Sequence, residues 1–71
     1  MSSRKELVDL IKAASAMPGS QGLTLLLQVL EALKAEPQPR VNALLIRGLG
    51  RLSARGVLGA AEALHEARAI Q

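Results

Sequence analysis

The chain contains no phenylalanine, tyrosine or tryptophan, and no cysteine. The first absence removes the side chains that bury the most area per residue. A core must therefore be assembled from Leu, Ile, Val, Met and Ala. The second excludes disulfides, a thiol nucleophile and any thiolate metal site. Small secreted domains with so slight a core are usually stapled by disulfides, so their absence points to an intracellular, cytoplasmic setting. Long apolar runs are lacking too: "LTLLLQVL" (Leu23 to Leu30) falls well short of the ~18 residues a membrane span needs. The "RK" ahead of "LVDLIKAASA" has the outline of a secretion signal, but Asp9 and Lys12 interrupt its apolar part.

At 71 residues the chain has room for a single domain. A domain of this size buries only about 60% of its unfolded surface. With no aromatics in the core, help is expected from a partner or from a second copy of the chain.

What is present is helical periodicity with clear punctuation. Ser3-Arg4-Lys5-Glu6 fits a capping box. Leu7, Leu10, Ile11, Ala14 and Met17 then recur at helical spacing until Pro18-Gly19. A second helix runs from about Ser20 or Gly22 to Ala35, before Pro37 biases Glu36 out of helical geometry. Leucine and valine cover more than half of its circumference, so it must be covered on two sides, as the centre of the fold or as an interface. Leu23, Leu26, Leu27, Leu30 and Leu33 are the candidates for such an apolar interface.

Past Pro37 and Pro39, a third helix extends to about Ala54 or Arg55, with Val41, Leu45, Leu49 and Leu52 as its buried face. Gly48 and Gly50 each cost about 1 kcal/mol of helix propensity relative to Ala, which close helix packing would offset. Gly56 is placed to end this helix. A fourth helix, about Leu58 to Ile70, is alanine-rich, with Leu64 and Ile70 as its expected anchors. The fold class is therefore all-α: two helix-turn-helix hairpins, about 3–35 and 40–70, joined by a Pro-x-Pro linker at 37–39. They would pack as a small four-helix bundle or a two-unit α-solenoid, one helical domain over 1–71.

The halves overlay on a slide of 35 residues, which pairs Leu10 with Leu45, Ile11 with Ile46, Lys12 with Arg47 and Glu31 with Glu66. Periods of 20–50 residues mark helical repeats. "LIKAASA" and "LLIRGLG" resemble the first helices of pentatricopeptide repeats, and "KAEPQPRVNALL" resembles a junction between two of them. "VLGAAEALHEA" resembles a second helix, and tetratricopeptide-like hairpins match nearly as well. The resemblance implies an α-solenoid that binds single-stranded RNA or a protein segment along its concave face. The family's usual tyrosine is missing, and its base-reading positions fall on Val8 and Ala43, with Gln38 before the second unit. The resemblance thus implies the architecture more than the reading of bases.

Arg40, Arg47, Arg51 and Arg55 fall within one narrow sector of the third helix, and no acidic residue lies between Pro37 and Ala61. A one-signed arginine stripe can be a plain solvated face, or it can concentrate phosphate or carboxylate groups, which the guanidinium fork holds in pairs. The lack of aromatics removes a base-stacking platform. Glu62-x-x-His65 has the spacing used in di-iron bundles, but Glu31 lies on a polar strip, so no metal site is expected. One histidine, no cysteine and no tyrosine in a chain too small for a deep cleft point away from catalysis and from any cofactor. The expected function is a non-enzymatic protein–protein interaction or adaptor module, self-associating or stabilised by a partner. The alternative is a nucleic-acid-binding module that uses the arginine stripe on phosphates.

Overall fold

A computed structural model describes residues 3–70, and residues 1, 2 and 71 of the expected domain lie outside the described residues. Four helices follow in order: α1 (Arg4–Ser15), α2 (Gln21–Ala35), α3 (Pro39–Ala54) and α4 (Ala60–Ala69). Their limits follow from local chemistry. The Ser3 hydroxyl caps α1 by accepting from the Glu6 amide at 3.2 Å. Pro39 opens α3 at a position where its missing N–H costs nothing. At the other end of α3, Gly56 adopts φ +77°, the Gly56 amide donates to the Ser53 carbonyl, and the Val57 amide donates to that of Leu52. These two bonds make a Schellman motif.

The hairpins stack side by side in the same direction. Within hairpin 1 the turn end brings Gly22 against the Ala14 carbonyl, and within hairpin 2 the start of α3 meets the end of α4. Between hairpins, Arg4 shares a cleft with Arg40, and Ile11 and Ser15 lie beside Gly48, so α1 and α3 run parallel. Leu23 lies against Gly59 and Lys34 reaches Glu66, so α2 and α4 are parallel as well. α1 has no packing contact with α4. The result is two layers, α1 with α3 and α2 with α4.

α2 and α3 each pack on all three other helices and together form the centre. Leu23, Leu26, Leu30 and Leu33, together with Val29, lie in the chain's own core, and of the five interface candidates only Leu27 is exposed, at 39%. The apolar girth that suggested self-association is thus accounted for by burial within a single chain. From α3, Val41, Leu45, Leu49 and Leu52 fill the core from the other side, as their spacing requires.

Four expectations need correction. α4 starts at Ala60, because Gly59 takes φ +87° and turns the chain there, leaving Leu58 91% exposed in the turn. Its buried residues are Ala60, Ala63 and Ala67, whereas Leu64 and Ile70 are only partly covered. Small side chains allow close approach to α3, so alanines take the role expected of leucine. Buried positions of the two hairpins coincide 34 residues apart (Leu7 with Val41, Ile11 with Leu45, Val29 with Ala63, Leu33 with Ala67), one less than the overlay of residue types. Finally, Gly48 does sit at a close approach, with Ser15, Leu26 and Ile11 around the position a Cβ would take, but Gly50 faces open space.

A buried polar residue joins the hairpin ends. Asn42 is 7% exposed, and its Nδ2 donates to the carbonyls of Ala67 at 3.0 Å and Ile70 at 3.4 Å. The Ala67 carbonyl also accepts from the Ile70 amide at 3.3 Å, so Asn42 adds a second bond there and gives the Ile70 carbonyl, past the end of α4, a donor. Its Oδ1 is buried with no protein donor.

Two sets of variants test this packing. Gly22→Ala would place a methyl group against the Ala14 carbonyl and should destabilise by about 1–3 kcal/mol. Gly50→Ala meets nothing and should stabilise by up to about 1 kcal/mol. Urea midpoints that shift in opposite directions confirm the assignment; equal shifts would contradict it. Asn42→Asp places a carboxylate against two carbonyl oxygens and should cost on the order of 3 kcal/mol at neutral pH. Part of that loss should be recovered as pH falls toward about 4, because burial beside two carbonyl oxygens raises the carboxyl above its unfolded value and the protonated form can donate.

Candidate binding face

The surface that distinguishes this molecule lies along the seam between α1 and α3. Together these helices carry six basic side chains (Arg4, Lys5, Lys12, Arg40, Arg47, Arg51) against two acids, Glu6 and Asp9. α2 and α4 carry Lys34 and Arg68 against Glu31, Glu62 and Glu66. The two layers therefore differ in sign, which the modest net charge of +3 conceals.

Two clefts open on the seam. One, of about 340 Å³, is lined by Arg4, Gln38, Pro39, Arg40 and Val41, where the N-termini of α1 and α3 meet. The other, of about 230 Å³, has Ile11, Leu44, Ser15 and Gly48 as its floor, with Lys12, Arg47 and Arg51 on its rim. No acidic residue lines either cleft. Gly48 lets α3 come close to α1 at this floor, with Ser15 and Ile11 packed around the position a Cβ would take. The Ser15 hydroxyl is already engaged, donating to the Ile11 carbonyl at 2.8 Å.

The structure divides the arginine stripe. Arg47 and Arg51 come together over one cleft, Arg40 joins the other, and Arg55, the C-cap of α3, lines neither. All four are exposed. Arg4 and Lys12 complete the face from the other hairpin, and the stripe alone did not disclose them.

These cations are not neutralised by neighbours. Among the described residues, the only ion pairs join Lys34 to Glu31 at 3.3 Å and to Glu66 at 3.6 Å, on the opposite layer. The hydrogen bond to Glu31, aided by the charges of both carboxylates, holds the Lys34 ammonium above its usual range. Glu62 and His65 are exposed on α4, and the Glu66 carboxylate is turned to Lys34.

No helix among the described residues is long and apolar enough to cross a membrane. No protein-family model, curated protein or solved structure matches the chain.

Arg47 and Arg51 have no carboxylate partner and point to solvent, so replacing both with Gln should leave the fold intact. The expected change in unfolding free energy is within about 0.5 kcal/mol. A larger loss in a denaturant titration would show that their stems pack between the hairpins.

Proposed function

We propose that this chain is a non-enzymatic protein-interaction module whose binding face is the α1/α3 seam, and that its partner is an acidic protein segment. The observation that carries this reading is the set of five cations around two adjoining clefts, with no acid in either lining. Guanidinium groups hold carboxylates in bidentate geometry. Left without internal partners, they carry no ion-pairing role within the fold.

The apolar floor of the second cleft favours a protein over a bare polyanion. Ile11 and Leu44 offer aliphatic surface between charged rims, which suits a segment that combines carboxylates with aliphatic side chains. A homo-oligomer built on α2 would have Leu27 as its main exposed leucine, which makes a different chain the better partner. An intracellular setting suits such a module.

A second reading, a nucleic-acid-binding module, draws on the same unpaired arginines. The phosphate backbone would be its only target, since no aromatic side chain is available to stack on bases.

Salt separates the two. Binding of an acidic peptide, measured by fluorescence anisotropy, should weaken at least tenfold in the Arg47→Gln/Arg51→Gln variant, chiefly through a slower association rate. If an RNA oligonucleotide binds more tightly instead, log affinity should fall with log salt. The double variant should then reduce that slope by about 0.7–0.9 per lost contact, and the second reading would replace the first.

A further inference from the structure

We infer that the occupant of the α1/α3 seam is a single acidic amphipathic helix, with carboxylates at positions i, i+7 and i+11 along one stripe. This rests on the protein-interaction reading above and specifies the form of the partner.

Hydrogen bonding gives the first argument. An extended peptide carries N–H groups that need acceptors, and a buried donor left unpaired costs about 1–3 kcal/mol. The linings of the two clefts are almost all donors. Arg4, Arg40, Lys12, Arg47 and Arg51 cannot accept, Pro39 has no polar side chain, and Val41, Ile11, Leu44 and Gly48 offer only backbone. Most carbonyls of α1 and α3 along the seam are engaged within the helices, and the carbonyl of Gln38 at the N-cap accepts from the Asn42 amide at 2.9 Å. The acceptors left are few: the Gln38 side chain, the lone pairs of the Ser15 hydroxyl and the carbonyls at the very end of α1. A helix satisfies its own backbone and presents side chains alone, which is what this surface can receive.

Spacing gives the second. Along α3, Arg40, Arg47 and Arg51 lie seven and eleven residues apart, about 10 and 16 Å at 1.5 Å per residue. On a helix of 3.6 residues per turn, both separations return to nearly the same face. A partner helix lying along the seam therefore matches the three guanidiniums with acids at the same separations. Lys12 and Arg4 supply the opposite rim.

The apolar floor of the second cleft gives the third. It is formed by Ile11, Leu44 and Gly48, beneath the rim cations Lys12, Arg47 and Arg51. An aliphatic side chain between the acids would pack on it, and the guanidiniums would close over its flanks. Charge complementarity places the partner helix, and the aliphatic knob sets its register.

The test uses three fluorescein-labelled peptides of identical composition and length, together with a uridine homopolymer, against the full chain in moderate salt. The first peptide carries Glu at i, i+7 and i+11 with Leu at i+4 and i+8. The second has the same residues shuffled so that the acids surround the helix. The third keeps the first pattern but exchanges a terminal Pro with a central residue. We expect the first to bind at least tenfold more tightly than the others and to gain helical circular dichroism on binding. It should also lose this preference when Arg4 and Arg40 are replaced by Gln.

If all three peptides bind alike but depend on Arg47 and Arg51, the helix inference fails while the face remains. Tightest binding by the proline peptide would mean an extended occupant and also overturns the inference. If no peptide binds, or binding ignores the arginines, the protein-interaction reading itself falls. Tighter binding of the homopolymer would transfer the face to nucleic acid and likewise overturn the proposal.

Discussion

The structure depends on covering α2. Its leucines and valine cover more than half of its circumference, and with no aromatic residue in the chain there is no other large apolar mass around which to build. One neighbour cannot cover so broad a face, and three do. α1 closes on it where Gly22 admits the Ala14 carbonyl, α3 supplies four aliphatic side chains, and α4 lies along its flank. The hairpins stack instead of forming a closed ring: α1 and α4 both pack on the α2–α3 pair and do not meet, α4 lying chiefly against α3.

The same demand sorts charge. With α2 and its apolar neighbours occupying the interior, the polar positions of α1 and α3 are turned outward on one side, and those positions are basic. An attractive network between the layers would have neutralised them. Among the described residues the only ion pairs are those of Lys34, and both lie within the α2/α4 layer. A face of unpaired arginine and lysine gains little for folding, because exposed like charges repel more than they stabilise.

Helix identity and limits were largely legible because they are set locally. The Ser3 cap, Pro39 at the first turn and Gly56 after the last one act over three or four residues, and a sequence displays them directly. The buried face of α3 was equally plain, since Val41, Leu45, Leu49 and Leu52 repeat at one period. α4 was misread because alanine gives no hydrophobic contrast: whether Ala60 or Ala61 faces inward is decided by α3, which lies outside any local window. Asn42 passed unnoticed for a related reason, as its partners are 25 and 28 residues away. The arginine stripe could be read along one helix, but its completion by Arg4 and Lys12 required knowing that α1 and α3 run parallel.

The alanines of α4 have a consequence for how the molecule opens. A helix held by Ala60, Ala63 and Ala67 gives up far less apolar contact on leaving than one held by leucines, with its far end tied through Asn42 and its flank through Lys34. It is the natural candidate for the unit of lowest local stability, able to detach while the other three helices stay packed. Detachment would uncover the α4-facing sides of α2 and α3, a strip of leucine and valine otherwise out of reach of water.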